Sequence, residues 1–279
     1  MIYLSLKYYL FIIILLATYY LFPLKNRWIV LLAGSIGFYF RIAADEFWIF
    51  FITVIVSYFL GLLIYQYKQQ ETKSKQGLII VKDILIIAII VTLIPLLTVK
   101  NGNFILKNWL HKKPISWIVP LGISFYTLQI ISYYVDIYKG IIKPQKNFLK
   151  YTLFISFFPQ IIQGPIPKYK QIENQLFEGH LFNEHIFSKG CQLIIWGFFL
   201  KLMIADKAAV IVNTVFEDFN QYKGFYILVA GCLYSVQLYA DFLACVTISQ
   251  GVASLFGIHI IDNFNHPYRA ISIKDFWRR

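Results

Sequence analysis

The chain has 279 residues, 58% of them hydrophobic and only 14% charged, whereas a soluble domain carries about a quarter charged residues; a globule solvated on all sides by water is excluded. Twenty-six Lys and Arg against fourteen Asp and Glu leave a formal charge of +12. These cations sit in short segments between apolar blocks rather than on one soluble module, which argues against a nucleic-acid partner and for charges that set topology and meet anionic headgroups.

In chain order, the block 2–22 has one early lysine, Lys7, and bulky residues behind it, so it reads as a retained first span rather than a removed signal peptide. Residues 28–40 form a shorter apolar block containing Gly34 and Gly37, a short span or one arm of a dipping hairpin. Block 47–67, and block 84–99 with its flanks, reach the length of about 20 apolar residues that a bilayer core requires. Block 117–138 is also long enough to cross, yet it carries Ser124, Thr127, Gln129, Ser132 and Asp136. That composition suits a helix facing protein or a wet cavity. The block 148–162 is short, and the 159–167 stretch that closes it holds three prolines and Gly164. Such a segment dips into a membrane only where protein surrounds it, because its freed backbone groups need partners. Blocks 192–204 and 226–242 follow, the latter continuing through 244–261, with 208–216 placed along the interface. The polar segments between these blocks are too short and too poor in apolar residues to fold separately. The expected architecture is therefore all-α, a polytopic transmembrane helical protein with short re-entrant or interfacial helices and a single membrane domain over 1–279.

Polar groups inside apolar blocks are costly, so they mark either a site or helix-to-helix hydrogen bonds. Gln129, Ser132, Tyr133 and Asp136 follow the three-and-four spacing of one helix face; they line a cavity or glue helices together. Asp241, the single carboxylate of a long apolar run, requires a base or a hydroxyl as partner. Cys191, Cys232 and Cys245 show no metal or disulfide spacing and read as small apolar groups. His180 and His185 miss the i, i+4 spacing of two ligands on one face, so no metal site is expected. His266 reads as a loop residue.

From about residue 117 onward, a series of blocks stands in fixed order: PLGISFYTLQ at 120–129, YVDIYKG at 134–140, FFPQIIQGPI at 157–166, KLMIADK at 201–207, YADF at 239–242, NFNHPY at 263–268 and SIKDFWRR at 272–279. In these blocks the chain resembles the membrane-bound O-acyltransferase family, in the branch of alginate O-acetylation and D-alanyl transfer proteins. It departs after YADF, where similar proteins run Ser-Gly-Tyr-Ser-Asp and this chain has Leu243-Ala244-Cys245-Val246-Thr247.

The resemblance implies an enzyme of the cell (inner) membrane, multi-pass, that moves an acyl group, acetyl by preference, to hydroxyls of an extracellular polysaccharide. The co-substrate is a thioester, acetyl-CoA or an acyl carrier protein, with no bound cofactor. The implied partners are the lipid bilayer, the extracellular glycan acceptor and a periplasmic or cell-surface acetylation partner protein. The family's catalytic histidine is expected beyond Arg279, which makes the chain the N-terminal part of a longer acyltransferase with no catalytic residue of its own. Positions carried over as lining a substrate passage are Gln129, Gln160, Tyr239, Asp241, Asn265 and Arg278. Three other readings stay open: D-alanyl transfer to teichoic acid with an acyl carrier protein, a truncated non-catalytic remnant, and a transporter.

Overall fold

The computed structural model describes residues 2–71, 75–108, 119–218 and 221–279. His111, Lys112, Lys113 and the first two residues of the 117–138 block lie outside them. Among the described residues the chain is all-α with no strand. Three helices are long and apolar enough to cross a membrane, over Phe47–Gln70, Gln76–Phe104 and Phe225–Leu255. The chain is an all-α membrane protein.

Its residues group into two compact units, one of Thr18–Ile162 with Ile166–Gly179, the other of Met1–Ala17, Gln163–Pro165 and His180–Arg279. Helix α1 (Leu6–Leu21) is apolar but only 16 residues long, about 24 Å at 1.5 Å per residue and shorter than a bilayer core.

The first unit holds α2 (Arg27–Ile42), α3 (Phe47–Glu71), α4 (Lys75–Asn108), α5 (Ile123–Lys139), α6 (Phe148–Ser156) and α7 (Tyr169–Phe177). Helix α5 starts well inside the expected 117–138 span and has 17 residues. Gly122 is the reason for this late start: it sits at φ +69, and a Cβ there would stand 2.1 Å from the Ile161 carbonyl. The C-terminus of α5 is closed by Gly140 at φ +77 with Ile141 N–H on the Asp136 carbonyl and Gly140 N–H on that of Ile137, the glycine stop expected where a left-handed residue is needed. Lys68 of α3 adds its ammonium to the last carbonyls, donating to Tyr138 O at 2.6 Å and Ile137 O at 3.3 Å. A cation at the negative end of a helix is the favourable arrangement.

Buried tyrosines tie the core of this unit together. Tyr151 donates to Ser57 Oγ at 2.8 Å and Tyr134 to Ser57 O at 3.3 Å, while the Tyr133 hydroxyl accepts from Gln145 N–H at 2.8 Å. Such bonds satisfy polar groups that neither lipid nor a dry core could solvate.

The second unit holds α8 (Glu184–Phe199), α9 (Asp206–Glu217), α10 (Phe225–Leu255) and α11 (Ile273–Arg278). A π-turn over Leu200–Ala205 joins α8 to α9, so the expected 192–204 block belongs to a longer helical run that starts at Glu184. Asn183 caps that run by accepting from Ile186 N–H at 3.1 Å. Helices α8 and α10 cross closely through glycines. A Cβ on Gly251 would lie 2.7 Å from Gly190 O, and one on Gly197 only 2.5 Å from Ile248 Cγ1. Small residues at the crossing let the backbones approach, as in membrane helix pairs. Residues 244–255 of α10 are buried throughout, whereas Phe225, Tyr226, Leu228 and Leu238 of its first half are exposed. Helix α10 stops at Gly257, φ +80, where Ile258 N–H returns to Ala253 O and Gly257 N–H to Ser254 O.

Candidate functional site

The first unit brings Gln129 and Gln160 together. Helix α6 ends at Ser156, so the carbonyls of its last turn lack helical partners. Gln129 Nε2 donates to Phe154 O at 2.9 Å and Gln160 Nε2 donates to the same oxygen at 3.0 Å. The turn that carries Gln160 is held by Phe158 N–H on Ser35 Oγ at 3.2 Å. Ser35 is fully buried on α2, so the proline-containing stretch lies within protein, as its free backbone groups demand. Two polar atoms here are left over: Gln160 Oε1 and Ser156 Oγ are buried without a hydrogen-bond partner among the described residues. Of the polar stripe on α5, Gln129, Tyr133 and Asp136 are buried and Ser132 half-buried. Asp136 Oδ2 likewise has no partner among the described residues.

The second unit holds the other four candidates, Tyr239 and Asp241 on α10 and Asn265 and Arg278 in the 262–279 segment. Asp241 finds its base in Lys201, with Nζ to Oδ1 at 2.5 Å, and the same ammonium meets Asp206 Oδ1 at 2.8 Å. Tyr239 packs edge-on against Phe264 and Tyr268, with ring centroids 5.4 and 5.2 Å away, and Phe242 meets Phe264 from one turn further on. Tyr268 also donates to Ser235 O at 3.1 Å. The YADF block therefore holds the 262–279 segment with its aromatic rings and Lys201 with its carboxylate.

Within that segment Asn265 works through its backbone: its N–H donates to Arg279 O at 2.8 Å. Arg278 does not reach Asn265. Its guanidinium takes Asp275 Oδ1 at 2.7 Å, and Arg279 takes Oδ2 at 2.7 Å. Arg279 first, and Arg278 with it, hold the Asp275 carboxyl below its ordinary range. Pro267, Tyr268, Ile271 and Phe276 contribute to the lining of an open cavity of about 350 Å³ beside these residues. His266 between them stands at φ 47, a conformation that histidine adopts more readily than most residues. No group of three His, Cys, Asp or Glu able to hold a metal occurs among the described residues.

Sequence reasoning did not single out Lys201 or Asp206. Their signal was visible as two opposite charges at i and i+5 in an apolar run, but that spacing pairs nothing on a regular α-helix.

Buried carboxamides in the first unit and, in the second, a half-buried lysine bridging two carboxylates beside an aromatic clamp define a helical membrane protein with polar groups set among apolar helices. No protein-family model matches the chain. The "Probable alginate O-acetylase AlgI" of Pseudomonas aeruginosa is 30% identical over 97% of this chain and 52% of its own length. The "Peptidoglycan O-acetyltransferase" of Helicobacter pylori is 34% identical over 64% of this chain and 38% of its own. The "Teichoic acid D-alanyltransferase" of Bacillus subtilis is 29% identical over 78% of this chain and 54% of its own. These relatives are acyltransferases of the membrane-bound O-acyltransferase type, and the chain is similar to them over most of its length. It spans about half the length of the alginate O-acetylases it matches.

Proposed function

We propose that this chain is part of an inner-membrane, multi-pass O-acyltransferase that moves an acetyl group from a thioester to hydroxyls of an extracellular polysaccharide. The observation that carries the reading is the similarity over 97% of the chain to alginate O-acetylases from several species. In that reaction the acceptor hydroxyl oxygen attacks the thioester carbonyl, a base takes the hydroxyl proton, the C–S bond breaks and the thiol leaves. The residues that support substrate binding are Gln129 and Gln160 in the first unit and Tyr239, Asp241, Asn265 and Arg278 in the second, none of which acts as the base. Gln160 supports the reading because its Oε1 is a buried acceptor that still needs a donor, and a buried polar atom left unpaired is a cost that a site justifies more readily than packing does. The donor is acetyl-CoA or an acyl carrier protein, and a periplasmic or cell-surface protein assists delivery to the glycan.

Mass analysis of cell-surface glycan with and without the intact gene tests the proposal. Loss of O-acetyl groups is expected on deletion; unchanged acetyl content overturns it. The similarity to a teichoic acid D-alanyltransferase favours a second reading, D-alanyl transfer from an acyl carrier protein. In that case deletion removes D-alanyl esters and leaves acetyl esters intact.

A further inference from the structure

Lys201 sits in an apolar run, and its side chain is only 15% exposed. On a regular α-helix, at about 3.6 residues per turn, residues five apart lie roughly 140° from each other around the axis. Asp206 would then point away from Lys201. The π-turn over Leu200–Ala205 removes that divergence: Asp206 N–H donates to the Lys201 carbonyl, the i to i+5 bond of a π-helix, and the wider turn sets the two side chains one above the other. Lys201 Nζ then reaches Asp206 Oδ1 at 2.8 Å and, 40 positions away on α10, Asp241 Oδ1 at 2.5 Å.

A π-turn is a rare helix geometry that recurs at functional sites, and here it accompanies a single ammonium that joins both carboxylates. Two carboxylates on one lysine leave the trio with a net negative charge. This exceeds what neutralising Asp241 requires, since Lys201 alone would do that. The pairing does fix something: Asp241 is two residues from Tyr239 and one from Phe242, whose rings hold Phe264 and Tyr268. The YADF block is therefore gripped by Lys201 at its carboxylate and by the 262–279 segment at its rings.

We propose that Lys201 is a positioning residue of the acyltransferase, acting through Asp241 to set the rotation of α10 at the YADF block and the placement of the segment bearing Asn265. The inference rests on the acyl-transfer reading above. It is tested with the intact gene expressed in its host, by measuring acetyl transfer per folded molecule, the folded amount being read as monodisperse protein after detergent extraction. Lys201→Met is expected to lower turnover per folded molecule by about tenfold or more while leaving KM for the donor unchanged. Lys201→Arg, whose forked guanidinium can still bridge two carboxylates, is expected to stay within about threefold of wild type. A neutral triple variant, Lys201→Met with Asp206→Asn and Asp241→Asn, removes every charge of the trio and so any unpaired ion. It is expected to recover the folded amount but not the turnover. Wild-type turnover per molecule in that triple variant overturns the proposal and leaves only a structural role. A wild-type protein that transfers no acyl group overturns the function and this inference together.

Discussion

Gln129 and Gln160 donate to one acceptor, the Phe154 carbonyl, from two different directions in the chain. The shared oxygen belongs to the last turn of α6, so each amide protects the other against loss. Gln129→Leu and Gln160→Leu are each expected to destabilise the protein by about 1 kcal/mol, the net worth of one hydrogen bond. The double variant leaves the carbonyl unpaired and is expected to cost more than the sum, with a coupling of about 1 kcal/mol in a double-mutant cycle. Thermal unfolding in detergent reads the cycle; strict additivity would show that the carbonyl is not shared.

The hydroxyl network of the first unit makes a similar claim at Ser57. Ser57→Ala strips the fully buried Tyr151 hydroxyl of its acceptor, at an expected cost of about 1–3 kcal/mol. Adding Tyr151→Phe removes the orphaned group and is expected to restore part of the loss, measured by the same unfolding transition.

Glycine placement on α10 predicts opposite outcomes at two positions of one helix. Gly251→Val must push against Gly190 O and Ile194 Cγ1, both 2.7 Å from the new Cβ, and is expected to destabilise the α8–α10 pair by about 1–3 kcal/mol or more. At Gly231 nothing lies within 4 Å of an added Cβ. Gly231→Ala is expected to be neutral or to stabilise by up to about 1 kcal/mol, because alanine loses less backbone entropy in a helix. Unfolding midpoints of the two variants side by side check the contrast.

Asp275 carries a pH dependence. Its folded-state pKa is depressed by Arg279 and Arg278, so its contribution is fully present above the unfolded carboxylate value of about 3.9 and is lost as pH falls through the lower folded value. Local protection of the 262–279 segment, followed by hydrogen exchange, is expected to hold through neutral and mildly acidic pH and to fall only below about pH 4. Asp275→Asn is expected to lower that protection at neutral pH and to flatten its acid dependence.

Much of the helix inventory is legible in the residues, because long apolar blocks are local signals. Boundaries failed where apolar length was read without its breakers. The start of α5 at Ile123 follows Gly122 in a left-handed conformation, and Pro120 and Gly122 signal that start locally although hydropathy runs on through them. The single long run read at 192–204 is interrupted by a π-turn that apolar periodicity does not distinguish from regular helix.

Taken alone, the amino-acid order determined that lipid is a solvent for this chain, that its polar residues cluster at a few places within apolar blocks, and that Asp241 requires a counter-group. It also carried the ordered blocks of an acyltransferase. Only the tertiary structure decided that Lys201 is that counter-group and that two glutamines share the Phe154 carbonyl. The physical reason is one of range. Hydropathy and helical period report which face of a helix avoids water, whereas a hydrogen bond or ion pair depends on which distant backbone or side chain the packing delivers to within about 3 Å.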